Sequence, residues 1–254
     1  MRLSCLPTFP LIVWLDAAKL FPPDDPGCSK GEVTTDLVSV HCVIYDCDGV
    51  LFDSLEANRR LYNHISLSSG RGPLTEEELR YCHMHTVQDS IHSLFKEDPE
   101  GEIRALEFLK HQVDFREFIP YLTMEPHLLP TLSALRKKRI RTAISTNRTT
   151  SMPHIMERFN LWPYFDMVVT ALDVTRPKPH RESVDRILNG LGVPPAEALY
   201  VGDSEIDRNT ALSSGVRFVA YKNREISTGL FIEDHRDLLK LLSNGGSPRK
   251  PPSA

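Results

Sequence analysis

Short apolar runs rich in β-branched residues recur along the chain, at residues 40–46, 141–146, 165–171, 198–203 and 216–222. Each has strand length and is apolar at successive positions, the mark of a strand covered on both faces in a parallel sheet. Between the runs, apolar residues repeat at helical spacing. Leu128, Leu129, Leu132 and Leu135 form one stripe; Ile155, Met156 and Phe159 form another. Val184, Ile187, Leu188 and Leu191 form a third, ended by Gly192, and Ile206, Thr210 and Ala211 a fourth, ended by Gly215. A final helix can bury apolar positions among Leu230, Phe231, Leu238, Leu239, Leu241 and Leu242. Strands alternating with helices predict an α/β fold, a Rossmann-like doubly wound parallel sheet with right-handed crossovers.

One interval breaks the alternation. Residues 55–124 carry only helical pattern, at 58–66, 75–95 and 102–121, with Thr75 and Glu78 spaced as a capping box. That is too long for a loop, so it reads as an inserted α-helical cap domain, with residues 38–54 and 125–242 forming the catalytic core. Residues 243–254 read as a disordered polar tail. Residues 1–37 are proline-rich and without period, and are expected to be an N-terminal extension, disordered or the product of an upstream start codon. A signal peptide fits less well, because the apolar run at residues 9–15 is at the short limit and no clean cleavage site follows.

Composition narrows the class. The chain has 254 residues, 41% hydrophobic and 25% charged, which suits a packed globule. A net charge of -4 gives no basic footprint, so nucleic acid is not an expected partner. No apolar run approaches the ~20 residues that span a bilayer, so no membrane association is expected. The five cysteines are scattered and form no metal pair, which favours a reducing compartment and a cytoplasmic location. Oligomeric state is left open.

Polar residues gather where the predicted strands end. The first strand runs into Asp46-Cys47-Asp48-Gly49, the second into Thr146-Asn147 and the fourth into Asp203-Ser204-Glu205-Ile206-Asp207. After the third, Lys178 sits between two prolines. Each segment alone also reads as a turn or helix cap, but together they fall on one edge of a parallel sheet, where such folds bind ligands. Asp46, Asp48, Asp203 and Asp207 face one lysine. Clustered carboxylates oppose one another's ionisation unless a cation neutralises them. All-oxygen donors fit Mg²⁺, and the absence of His and Cys ligands argues against zinc.

These four motifs, in this order, resemble the haloacid dehalogenase superfamily, specifically its helical-cap phosphohydrolases, which include phosphoglycolate phosphatase-like and β-phosphoglucomutase-like members. The resemblance covers residues 40–224. It implies that Asp46 is a nucleophile forming an aspartyl-phosphate, and that Asp48 is the general acid and then base. It implies that Thr146 and Asn147 bind substrate, and that Lys178 does so while neutralising charge. It places Mg²⁺ on the Asp46 side chain, the Asp48 backbone carbonyl and Asp203, with Asp207 in an outer shell. The expected activity is Mg²⁺-dependent hydrolysis of a small phosphorylated metabolite.

Alternatives follow from the same motifs. Dehalogenases of the superfamily lack the second aspartate. Mutases carry a cap-linker histidine, and the matching region here, up to Asn58, has none. Pyrophosphatase activity stays open. Receiver-type signalling modules share the acidic pocket but lack a cap and carry their phosphoacceptor on the third strand. Arg59, Arg60, His64, Arg71, Arg80, His83 and His85 are cap cations that either meet anionic substrate groups or sit solvated on helix faces.

Overall fold

A computed structural model describes residues 40–244. The expected N-terminal extension lies outside the described residues, as does the tail beyond Asn244. The strands formed are β1 (Cys42–Tyr45), β2 (Phe52–Asp53), β3 (Thr123–Met124), β4 (Arg141–Ser145), β5 (Met167–Val169), β6 (Ala198–Gly202), β7 (Arg217–Tyr221) and β8 (Phe231–Ile232). The helices are α1 (Leu55–Ser68), α2 (Glu76–Met84), α3 (Val87–Leu94), α4 (Pro99–His111), α5 (Leu128–Lys137), α6 (Ser151–Arg158), α7 (Glu182–Leu191), α8 (Glu205–Ser213) and α9 (His235–Asn244).

Six strands form one parallel sheet in the order β5-β4-β1-β6-β7-β8, so β1 is central and every strand ends on the same edge. Side chains alternate between two apolar layers, as a two-residue period requires. Cys42 and Ile44 face the layer of Val184, Ile187, Leu188 and Ala211 from α7 and α8. Val43 and Tyr45 face Leu128, Leu132, Leu135, Ile155, Met156 and Leu238 from α5, α6 and α9. All four β1 side chains are fully buried, which explains a run without polar alternation.

Helices α1 to α4 lie between β2 and β3, a two-residue antiparallel ribbon joining them to the sheet. They enclose their own apolar cluster, centred on Leu61, Ile65, Cys82, Ile91, Phe95 and Ala105. The capping box forms: Thr75 and Glu78 each accept from the other's backbone N–H. The single helix expected over 75–95 is two, because Thr86 caps a second start by accepting from the Asp89 N–H. The helix expected at 102–121 begins earlier, at Pro99 behind the Asp98 cap, and gives way after His111 to short 3-10 turns. Of the apolar positions expected on a final helix, Phe231 lies in β8 instead, and α9 starts at His235 and takes in Ser243 and Asn244. Among the described residues no helix is long and apolar enough to cross a membrane.

Candidate active site

The site begins where β1 runs out of ladder. The Asp46 N–H donates to the Val201 carbonyl at 3.0 Å, so the backbone is held in the sheet up to the first carboxylate. The chain then turns: Gly49 takes φ 72°, and the turn closes through Gly49 N–H to Phe52 O (2.8 Å) and Leu51 N–H to Cys47 O (2.9 Å). Gly49 also leaves room for a neighbour. A Cβ there would lie 2.0 Å from Asp203 Oδ2, so only glycine lets the carboxylate at the end of β6 come this close to the β1 turn.

Lys178 reaches under Asp46 from the loop after β5 and is almost completely buried. Its Nζ donates to Asp46 Oδ1 and to Asp207 Oδ1, both at 2.7 Å, and lies 3.2 Å from the Tyr200 hydroxyl. Burial works against a charged ammonium, but the Asp207 and Asp46 carboxylates outweigh it and hold the lysine protonated. Asp207 is fully buried and has no oxygen to spare. Oδ1 faces Lys178 and Tyr200, and Oδ2 accepts from the Ser204 hydroxyl (2.6 Å) and Ser204 N–H (3.2 Å). The same pair caps α8, since Ser204 Oγ accepts from the Asp207 N–H.

Asn147 fixes the other end of Lys178. Its side-chain oxygen accepts from the Lys178 N–H (3.0 Å) and its amide donates to the Lys178 carbonyl (3.2 Å). The side chain expected to bind substrate is thus engaged with the lysine backbone. Thr146 is buried in the cleft and its hydroxyl accepts from the Arg148 N–H at 3.1 Å. Arg148 turns its side chain onto Asp48, with Nε 2.8 Å from Oδ2 and Nη2 2.6 Å from Oδ1. Burial opposes the Asp48 charge, yet this guanidinium holds its carboxyl below the usual range.

The helices above supply the other wall, including Asn58, Leu61, Tyr62, His83, His85 and Phe115. Asn58 Nδ2 lies 2.8 Å from His83 Nδ1. Arg59, Arg60 and Arg71 instead pair with Glu76, Glu56 and Glu78. His64 packs edge-on against Phe108.

One carboxylate oxygen from each of Asp46, Asp203 and Asp207 lies within 4.8 Å of the others. Asp207 is committed to Lys178 and Ser204, which leaves Asp46 and Asp203 as the available pair. No donor among the described residues reaches the Asp203 carboxylate; its backbone carbonyl accepts from Asn223. Burial first, then the charges of Asp207 and Asp46, push the Asp203 carboxyl well up. Burial and Asp207 push Asp46 up to about 7, against the pull of Lys178. A buried and a half-buried carboxylate that repel one another, with all-oxygen donors, fit a hard divalent cation such as Mg²⁺.

Asp46, Asp48, Thr146, Asn147, Lys178 and Asp203 therefore line one cleft, with Asp207 behind the lysine. The sequence did not single out Arg148 or Tyr200, and offered Ser204 only within a segment that reads as a turn or helix cap, which it is. Arg148 directly follows Thr146-Asn147, and Ser204 and Asp207 have capping-box spacing, so two of the three carried a local signal. Tyr200 is one apolar-looking position within β6 and carried none.

The profile of the haloacid dehalogenase-like hydrolase family matches residues 43–221. The chain is 29% identical over 187 residues to a phosphoglycolate phosphatase from Rhodobacter capsulatus, covering 70% of this chain and 83% of that one. It is 24% identical over 216 residues to the pyrophosphatase PpaX of Oceanobacillus iheyensis, covering 82% and 99%. A crystal structure of a HAD-superfamily hydrolase, subfamily IA, variant 1, from Geobacter sulfurreducens superposes with a TM-score of 0.66 at 39% identity, over 82% of this chain and 97% of that one. The chain belongs to the haloacid dehalogenase-like hydrolase family. It is an enzyme of that hydrolase class.

Proposed function

We propose that this enzyme is a Mg²⁺-dependent phosphatase that cleaves a small phosphomonoester, phosphoglycolate being the first candidate, through an aspartyl-phosphate on Asp46. The observation that carries the reading is the state of the Asp46 carboxylate. It sits on the cleft floor with Oδ1 held by Lys178, and Oδ2 has no donor among the described residues. A carboxylate restrained by one oxygen and unengaged at the other is set up to attack.

In the first step Asp46 Oδ2 bonds to phosphorus and the bond to the leaving oxygen breaks, and Asp48, which takes up a proton once it is out of its pair with Arg148, gives that proton to the leaving oxygen. In the second, Asp48 takes a proton from water as the water oxygen attacks phosphorus, and Asp46 leaves as a carboxylate with inorganic phosphate released. Lys178 neutralises charge beside Asp46 throughout, and the Thr146 hydroxyl donates to a phosphoryl oxygen. Asn147 keeps Lys178 in place. Asp46, the Asp48 carbonyl and Asp203 would hold Mg²⁺, which supplies positive charge against the phosphoryl oxygens. Asp207 stays out of that set and holds Lys178 from behind.

Support for a phosphomonoester substrate comes from the site's second carboxylate, Asp48, and from the name of the Rhodobacter relative. The test is phosphate release from phosphoglycolate, sugar phosphates, nucleotides and pyrophosphate, with Mg²⁺ and with EDTA. Magnesium-dependent release from a monoester is the expected result. Release from pyrophosphate alone, or from nothing while the protein is folded, would overturn it.

A further inference from the structure

We propose that Arg148 is a specificity-determining residue that selects phosphomonoesters bearing a carboxylate on the leaving group, by exchanging Asp48 for that carboxylate when substrate binds. The inference rests on the phosphatase reading of the site.

Its starting point is a conflict in the geometry. Proton transfer to the leaving oxygen needs an oxygen of Asp48 that faces it. Both oxygens are occupied, one by Arg148 Nε at 2.8 Å and one by Nη2 at 2.6 Å, in a two-pronged pair. The two side chains are only 15% and 16% exposed, so water does not readily replace either partner. For Asp48 to act, Arg148 has to let go.

The backbone cannot make that movement. The Arg148 N–H is held by Thr146 Oγ1, and its carbonyl accepts from the Ala171 N–H at 3.1 Å. Only the side chain can swing, and its remaining contact is a long one, Nη1 to Ser151 Oγ at 3.4 Å. A guanidinium withdrawn from its carboxylate at so poorly exposed a position needs another anion. The acids lining the cleft are Asp46, Asp48 and Asp203. Asp46 is held by Lys178, and Asp203 is assigned to the cation. No further acid is available from the wall contributed by the helices, so the substitute has to arrive with the substrate.

A carboxylate is the like-for-like replacement, because it presents the same planar pair of oxygens to the guanidinium fork. A substrate that brings one frees Asp48 as it binds. A phosphomonoester with a neutral leaving group brings only its phosphoryl oxygens, which Thr146 and the cation take up, so Asp48 stays engaged.

The experiment compares 2-phosphoglycolate with ethyl phosphate, which has the same two-carbon leaving group without the carboxylate, as a ratio of kcat/KM with Mg²⁺ present. Wild-type enzyme is expected to favour phosphoglycolate at least about tenfold, and Arg148→Gln to lower the ratio by about 10- to 100-fold, the range for charged hydrogen bonds. Arg148→Lys, which keeps charge but loses the fork, is expected between the two, and it carries the test if the Gln variant does not fold. A ratio unchanged within about twofold in the folded variants, or a wild type without preference, would overturn the assignment to Arg148. Wild-type protein that released phosphate from neither ester nor any other would instead overturn the phosphatase reading.

Discussion

Replacing Gly49 with alanine tests how tightly the site is built. The perturbation has two parts. At φ 72° an alanine pays the left-handed penalty of about 1–2 kcal/mol. Its Cβ would also stand 2.0 Å from Asp203 Oδ2, where real Cβ contacts stay beyond 3.0 Å. The Asp203 carboxylate would have to retreat by about 1 Å, and a displacement of that size in a catalytic group lowers turnover by about 100-fold. Gly70 provides the control: its φ is 86°, and nothing lies within 4 Å of where a Cβ would be. Both variants are expected to lose about 1–2 kcal/mol in urea unfolding. Only Gly49→Ala should also lose Mg²⁺-induced thermal stabilisation and phosphatase turnover. If Gly49→Ala keeps turnover within about threefold of Gly70→Ala, the Asp203 carboxylate does not need its observed place and the site geometry argued here is wrong.

Asp207→Asn leaves Lys178 with Asp46 as its carboxylate partner and weakens the charged hydrogen bonds from Lys178 and Ser204, so it is expected to destabilise the fold by about 1.5–3 kcal/mol; a loss below about 0.5 kcal/mol in urea melts would show that Lys178 does not depend on it. Asn147→Ala removes two hydrogen bonds to the Lys178 backbone, and is expected to lower kcat more than it raises KM; a pure KM effect would restore Asn147 to direct substrate binding. The carboxyls of Asp46 and Asp203 are raised in the fold, so the folded state holds more protons there than the unfolded chain does. Without metal, their contribution to stability is fully present below the ordinary carboxyl value of 3.8, and each part is lost as pH rises through that group's raised folded value, about 7 for Asp46. Mg²⁺ has to displace those protons, so its affinity by calorimetry should weaken, and its stabilising effect shrink, as pH falls below about 7. Mg²⁺ affinity that is flat across this range would count against Asp46 and Asp203 as the ligands.

The parallel sheet and the inserted helices were legible in the sequence because β1 and β6 are buried throughout, and β4 and β7 everywhere but their first residue, which leaves short runs rich in apolar and β-branched residues. What escaped was short. β2, β3 and β8 have two residues each, too few to show a period. The break at Thr86 was hidden because the residues on both sides keep a helical apolar pattern across it. At the site, strand-end carboxylates announced themselves by type and position. The partners of those carboxylates did not, since the separations of 132 positions from Asp46 to Lys178 and 100 from Asp48 to Arg148 are closed only by the fold. Tyr200 reads as one more apolar strand residue until its hydroxyl is found 3.1 Å from Asp207.

The mechanism requires phosphorus to become bonded to the Asp46 carboxylate. Acid quenching during turnover of the best phosphomonoester, borohydride reduction and peptide mass analysis would read this directly, because an acyl phosphate is reduced to an alcohol and marks its position as homoserine. The expected result is homoserine at position 46, dependent on substrate and Mg²⁺ and absent from Asp46→Asn. Active enzyme that gave no mark at Asp46, or carried it on another residue, would contradict the mechanism.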